Sequence, residues 1–136
     1  MKSLPGVQDC CWVGLGGALG SGLRFAAAMA WPPIDLDSLP WATLAVNVAG
    51  SILIGAFAAL SMRRNIAFGS RIMLFLMVGF CGGLTTFSFV GLESALMIHE
   101  QRWDTLAAYL VLSLLGWLFG VAGGYRACLA LVKPGV

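Results

Sequence analysis

The sequence predicts an all-α integral membrane protein with four transmembrane helices, because it carries few charges and its apolar residues fall into four long runs. Of the 136 residues, 60% are hydrophobic and 10% are charged, whereas a soluble domain has about 25% charged residues. The runs cover about residues 11–31, 41–62, 72–98 and 105–131, and each reaches the roughly 20 residues that cross a bilayer. Because the connections are short, we expect one four-helix transmembrane domain over residues 1–136.

The first predicted span contains glycines at helical spacing and one arginine. Gly16 and Gly20 are four residues apart, and small residues at this spacing let a second helix approach closely. Arg24 lies inside the span, where a charged side chain is expected to face protein or water rather than lipid.

The second predicted span places two polar side chains on one helical face, since Asn47 and Ser51 are four residues apart. An asparagine within a membrane is costly unless it has a hydrogen-bond partner. Two interpretations of Asn47 fit its spacing equally well. Its amide either bonds a neighbouring helix or lines a pore.

The third predicted span is about 27 residues long, more than a bilayer requires, and it contains residues that weaken a helix. The stretch from Gly79 to Phe89 combines three glycines, two threonines and a serine. The adjacent Gly82 and Gly83 lose more conformational entropy in a helix than other residues do. Irregular backbone at membrane depth is tolerated only beside protein or a hydrated cavity. We therefore predict a helix that is broken within the membrane, near a functional site.

Further polar positions follow the break. Glu93 lies in the second half of the third span, and we expect it to face protein or water. Tyr109 and Ser113 are four residues apart in the fourth span and share a face. The same span carries a second row of glycines that favours close helix packing: Gly116, Gly120 and Gly124.

The side chains present argue against several classes of protein. The sequence has no hydrolase triad, phosphate-binding glycine loop or metal-ligating motif, so no enzyme activity is predicted. Its net charge is +2 and Arg63–Arg64 is its only basic pair, so we expect no nucleic-acid partner. Hydroxyls, an amide, aromatic rings and freed backbone groups instead suit the passage of a small ion.

Two other membrane functions compete with ion passage. A small multidrug-type proton-coupled exporter has a similar size and number of spans, but it should carry a carboxylate in its first span, where this chain has Arg24. A non-transporting membrane subunit, held together by its glycine rows, would need no cluster of hydroxyls and aromatic rings at a helix break.

Three segments carry a resemblance: GGALGSGLRF at 16–25, WATLAVN at 41–47 and GFCGGLTTFS at 79–88. They resemble the CrcB/Fluc family of fluoride ion channels, and the similarity extends over all four spans. The resemblance implies a fluoride-selective channel of the cell inner membrane, which passively exports fluoride and so lowers its toxicity. It also implies an antiparallel, dual-topology dimer in the lipid bilayer. A structural Na⁺ would lie at the dimer centre, held by the backbone carbonyls of Gly82 and Thr85, since sodium prefers hard oxygen ligands.

The resemblance also gives roles to individual positions. Phe87 corresponds to a pore phenylalanine, whose ring edge is positively polarised and attracts an anion. Arg24 corresponds to an arginine near a vestibule, and Glu93 to an acidic position whose role the resemblance does not specify. The other fluoride-pore positions that it implies are Asn47, Ser113, Tyr109, Ser88 and Thr86.

The chain departs from the family pattern just after Phe87. The family places a second ring three residues further on, where this chain has Val90. Phe89 lies two residues from Phe87, which is about 200° round a helix. Either the second ring is missing from this subunit, or a shifted backbone supplies Phe89 in its place. We favour the first alternative, in which Phe89 is a packing residue.

The basic residues are distributed unevenly between the two sides of the membrane. With the N-terminus inside, six lie on the inner side: Lys2, Arg63, Arg64, Arg71, Arg126 and Lys133. The outer side has Arg102, and Arg24 if its depth is counted. Because lysine and arginine set orientation, this bias favours one topology. The partner is a second copy in an antiparallel homodimer, our first choice, or an oppositely oriented homologous subunit.

Overall fold

The computed structural model describes residues 6–31 and 38–132 of the chain. They form α1 (Val7–Ala30), α2 (Trp41–Arg63), α3 (residues 71–84), α4 (Ser88–His99) and α5 (Trp103–Leu131). The third predicted span corresponds to α3 and α4 together, and all four spans are helices long and apolar enough to cross a membrane. The four-helix membrane fold is therefore confirmed. Lys2, Lys133 and the acidic connection at 32–37 lie outside the described residues.

The first helix begins at Val7, four residues before the start that its apolar pattern predicts. Its first turn is polar because it lies at the end of the bundle. The backbone N–H of Gly6 donates to Asp9 Oδ2 at 3.1 Å, which stabilises a helix start. Arg71, at the start of α3, contacts Asp9 (Nε–Oδ1, 3.6 Å) and donates to Gln8. The beginnings of α1 and α3 therefore lie side by side.

The third span is broken within the membrane, as predicted, but not at its paired glycines. Its helical hydrogen bonding continues through Gly82 and Gly83, and the irregular stretch consists of Thr85, Thr86 and Phe87. The glycines serve close packing instead. A Cβ at Gly83 would lie 2.5 Å from the carbonyl oxygen of Gly17, so no larger residue fits there.

Backbone-to-backbone contact joins the helices in two pairs, α1 with α3 and α2 with α5. A Cβ on Gly20 would lie 2.1 Å from the carbonyl oxygen of Phe80, and one on Gly124 would lie 2.0 Å from that of Ile52. Both close approaches predicted from the glycine rows are confirmed. Within α3, residues Leu74–Cys81 adopt π-helical hydrogen bonding, a wider geometry that often occurs near functional sites.

Arginines concentrate at one end of the bundle. Arg63 Nη2 donates to the carbonyl oxygen of Leu129 at 3.1 Å, so α2 and α5 end together, and a short turn leads from α2 to the start of α3. Arg102 lies at the opposite end, between α4 and α5. The arginines at the first end are Arg63, Arg64, Arg71 and Arg126.

Candidate functional site

The break in the third span is fixed by the amide group of Asn47 on α2. Asn47 Nδ2 donates to the carbonyl oxygen of Thr86 at 2.9 Å, and the N–H of Thr86 donates to Asn47 Oδ1 at 2.7 Å. Both backbone groups of Thr86 are thereby satisfied where no helix satisfies them. These contacts agree with the interpretation in which the Asn47 amide bonds a neighbouring helix. Its role in lining a pore stays a prediction.

A second backbone group of the broken span is bonded by α1. The carbonyl oxygen of Gly83 accepts hydrogen bonds from Ser21 Oγ at 3.4 Å and from Arg24 Nε at 3.1 Å. In a continuous helix this oxygen would accept the N–H of Phe87. Arg24, predicted to stand near a vestibule, thus also anchors the end of α3.

Three carbonyl oxygens at the break are left without a donor, those of Gly82, Leu84 and Thr85. The helical donor for Leu84 would be the N–H of Ser88, and no turn joins these two residues. The helical donor for Gly82 would be the N–H of Thr86, which bonds Asn47 instead. The donor for Thr85 would be the N–H of Phe89, which bonds the Thr86 hydroxyl at 3.2 Å. No hydrogen bond to any of the three oxygens is found within residues 6–31 and 38–132.

The open carbonyls of Gly82 and Thr85 fit the structural sodium ion that the resemblance implies. Carbonyl oxygens are hard ligands of the kind that such cations take. Gly82 is exposed, and nothing lies within 4 Å of the position that a Cβ would occupy there. A ligand or a second chain can therefore reach this surface. The predicted positions, Gly82 and Thr85, are two of the three with unused acceptors, and the sodium ion itself stays a prediction.

The hydroxyls of Thr86 and Ser88 lie together just after the break, with their oxygen atoms 3.1 Å apart. The Thr86 hydroxyl also accepts the N–H of Phe89. It therefore satisfies one of the amide groups that a helix leaves unpaired in its first turn. Thr86 and Ser88, both predicted pore residues, lie where α4 begins.

Phe87 projects from the break with 76% of its surface exposed. Its ring meets Trp117 of α5 at a centroid distance of 6.3 Å and an angle of 63° between planes. Trp117 Nε1 and Ser113 Oγ are buried, and neither has a hydrogen-bond partner among the described residues. Because such groups are costly to leave unsatisfied, they provide binding capacity for a polar ligand.

The resemblance places Trp117 where some family members have a small polar residue, and Trp117 was therefore expected to shorten the polar row on the fourth span. Tyr109, Ser113 and Trp117 follow one another at four-residue spacing, which places them in one row along α5. The aromatic character of Trp117 obscured its ability to donate a hydrogen bond.

The carboxylate of Glu93 is held by two hydroxyl groups. Tyr109 donates to Glu93 Oε2 at 2.5 Å, and Thr43 donates to Glu93 Oε1 at 2.6 Å. Tyr109 is completely buried, so its hydroxyl is committed to Glu93. Thr43 was a residue that sequence reasoning missed, and its position one turn before Asn47 on α2 is the signal that places it on the same face.

The side chains of Phe89 and Val90 contact different parts of the protein. Val90 is buried in a cluster with Leu44, Met97, Leu106 and Tyr109. The Phe89 ring lies under the Arg24 guanidinium, whose central carbon is 5.6 Å from the ring centroid. Since Phe87 packs on α5, Phe89 does not lie beside it. Whether the second ring is missing or is supplied by Phe89 stays a prediction.

A cavity of about 240 Å³ adjoins the break on the side of α1 and α2. It is largely apolar, but hydroxyls and one guanidinium reach it. The residues that line it are Ser21, Arg24, Phe25, Ala28, Ala42, Thr43, Val46, Thr86 and Phe89.

The family described as "CrcB-like protein, Camphor Resistance (CrcB)" matches residues 11–125. The chain belongs to the CrcB-like family. The matched range contains every site residue described above, from Ser21 to Trp117.

Several curated relatives of this CrcB-like chain are named "Fluoride-specific ion channel FluC". The one from Bacteroides fragilis strain YCH46 is 40% identical over 123 residues, which is 88% of this chain and 95% of the relative. The one from Rhodospirillum rubrum is 40% identical over 126 residues, covering 92% and 97%. The one from Salinibacter ruber is 38% identical over 128 residues, covering 90% and 92%.

Proposed function

We propose that this chain is the subunit of a fluoride-selective channel in the cell inner membrane, which lets fluoride leave the cytoplasm passively and so lowers its toxicity. The observation that carries the proposal is the exposed ring of Phe87 in contact with Trp117, whose N–H is unpaired, as is the hydroxyl of Ser113 one turn earlier on α5. The names of the curated relatives support fluoride as the ion.

The mechanism follows from what a small anion needs when it leaves water. Fluoride must exchange its hydration shell for other donors, and each contact must be weak enough to release it again. The Ser113 hydroxyl and the Trp117 N–H are such donors. The edge of the Phe87 ring adds positive polarisation without a fixed charge. The ion then moves between several modest contacts along α5 rather than binding tightly at one.

The channel is proposed to be a dimer of antiparallel copies. Gly82, Phe87 and Ser88 are exposed at the break, and irregular backbone with polar groups cannot face lipid. A second chain against this surface would cover it and enclose the path of the ion. The homodimer is our first choice. The arginine bias towards one end favours a single orientation, so the alternative partner is an oppositely oriented homologous subunit.

A structural sodium ion is proposed between the two copies. The open carbonyls of Gly82 and Thr85 in each chain would together supply four oxygen ligands. When bound, the ion supplies positive charge that offsets the carbonyl dipoles facing one another across the interface. On this proposal the ion stabilises the dimer and takes no part in conduction.

The test is efflux from proteoliposomes that contain the purified chain alone. We expect fluoride efflux, measured with a fluoride electrode, that greatly exceeds chloride efflux and does not depend on a proton gradient. Fluoride efflux no faster than chloride efflux, from protein that is folded and dimeric, would overturn the proposal. Flux that requires a proton gradient would favour the exporter alternative. Efflux from the single purified chain also supports the homodimer over a pair of different subunits.

A further inference from the structure

Arg24 is held by two contacts that leave part of its guanidinium free. Its Nε donates to the carbonyl oxygen of Gly83 at 3.1 Å. The group also lies over the Phe89 ring, 5.6 Å from the ring centroid. Its two terminal nitrogens make no hydrogen bond to any other described residue. A guanidinium fixed along one edge and one face retains donors along its remaining edge.

Arg24 and Phe89 both line the cavity beside the break. The cavity includes Ala28 and Ala42, near the end of α1 and the start of α2, so it lies in the half of the membrane where those two helices are connected. Ser21, Thr43 and Thr86 also reach it. An ion in this cavity is therefore next to the break that carries Phe87.

We propose that Phe89 is a positioning residue, which holds the Arg24 guanidinium so that its free nitrogens receive an anion in the cavity before the anion reaches the break. The inference rests on the proposed function and names a residue that determines how strongly fluoride is captured. Stacking on an aromatic ring is a favourable cation–π contact, and it restricts a long, flexible side chain. Less conformational freedom is then lost when an anion binds.

The position of Phe89 in the sequence separates this role from that of a pore ring. Phe89 is about 200° from Phe87 round a helix, and the two rings contact different helices. It therefore acts on capture of the ion, through Arg24. A Phe89 that only packs against its neighbours would affect flux differently, because packing depends on the apolar volume of the side chain and not on the charge of Arg24.

The experiment measures fluoride flux in proteoliposomes as a function of fluoride concentration. Phe89→Leu keeps apolar bulk and removes the ring. It should raise the half-saturating concentration by about fivefold while changing maximal flux less than twofold. Phe89→Tyr keeps the ring, so its half-saturating fluoride concentration should equal that of the wild type. Phe68→Leu is the matched control, since Phe68 is exposed to a similar extent (56% against 47% for Phe89) but lies in the turn before α3.

A double-mutant cycle with Arg24→Gln distinguishes positioning from packing. In the Arg24→Gln background, Phe89→Leu should no longer change the half-saturating concentration, because the cation that the ring holds is absent. The same shift in both backgrounds, or no shift in the wild-type background, would overturn the inference. Should Phe89→Leu not yield a folded dimer, Phe89→Met replaces it in the cycle. Absence of selective fluoride flux from the wild-type chain would instead refute the proposed function.

Discussion

Asn47 binds the backbone of Thr86 through both ends of its amide group, at 2.9 Å to the carbonyl oxygen and 2.7 Å from the N–H. A side-chain amide thus replaces the two hydrogen bonds that a continuous helix would supply. Asparagine is suited to this position because it combines a donor and an acceptor at the correct separation. Aspartate and leucine are similar in size to asparagine, but neither combines a donor with an acceptor at this separation.

The Asn47 contact predicts that the break depends on this one side chain. Asn47→Ala leaves the N–H and carbonyl of Thr86 unpaired, which should lower the free energy of unfolding by about 2–4 kcal/mol. Fluoride flux should fall at least about tenfold, because Phe87 then loses its fixed position. Denaturant titration in detergent and proteoliposome efflux measure the two effects. Ser61→Ala is the control, since it removes a different hydrogen bond of α2, to the carbonyl oxygen of Ile66, and should preserve flux per folded dimer.

The exposed ring at the break predicts a specific loss of conduction. Phe87→Ile keeps apolar volume but removes the polarised ring edge, so fluoride efflux should fall at least about tenfold while the dimer remains intact by size-exclusion chromatography. Phe119→Ile is the matched control, because Phe119 on α5 is 71% exposed against 76% for Phe87 but lies about 200° round the helix from Trp117, the residue that contacts Phe87. Equal loss in both variants would contradict the role given to Phe87.

The Glu93 network predicts coupled effects on stability. Tyr109→Phe and Thr43→Val each leave one carboxylate oxygen without its hydroxyl partner, and each should cost about 1–3 kcal/mol of unfolding free energy. Because both hydroxyls bind one carboxylate, the double variant should deviate from additivity by at least about 0.5 kcal/mol. Tyr125→Phe serves as the reference. Its hydroxyl contacts the sulfur of Met62, a weak acceptor, so its removal should have little effect. Strict additivity would mean that the two hydroxyls act independently.

The close helix contacts predict which glycines tolerate a methyl group. Gly20→Ala and Gly124→Ala place a Cβ about 2 Å from a backbone carbonyl oxygen, so each should destabilise the protein by about 1–3 kcal/mol. Gly22→Ala and Gly123→Ala, on the same two helices, meet nothing within 4 Å and should be nearly neutral. The stabilities of the four variants are compared by thermal unfolding in detergent. Similar losses of stability in both pairs of variants would show that helix packing does not distinguish these positions.

The sequence could predict which residues share a helix face, but not which face of another helix they meet. Hydropathy and residue spacing identified the four spans, the two glycine rows and a break in the third span. The contacts of Glu93 join three helices, and no spacing within one helix reveals Thr43 and Tyr109 as its partners. The helical angle separated Phe89 from Phe87, yet its contact with Arg24 depends on where α1 crosses the break.

Gly82 and Gly83 illustrate a second limit of sequence reasoning. Their low helix propensity favoured a break at the glycines, but tertiary contact outweighed propensity. Gly83 touches the backbone of Gly17 and remains helical, while the break falls at the threonines. Two threonines and a serine could mark an irregular backbone or a polar helix face, and only the position of Asn47 decides between them.

The hydrogen bonds at the break have a consequence for how the protein is made. Asn47 satisfies Thr86, and Ser21 and Arg24 satisfy Gly83, all from within one polypeptide. These hydrogen bonds can therefore form in each copy before it meets a partner, whereas the exposed surface with the open carbonyls is covered only when the second copy of the proposed dimer binds. Assembly of the proposed dimer would then join subunits in which the break is already formed, and only its exposed surface would remain to be covered.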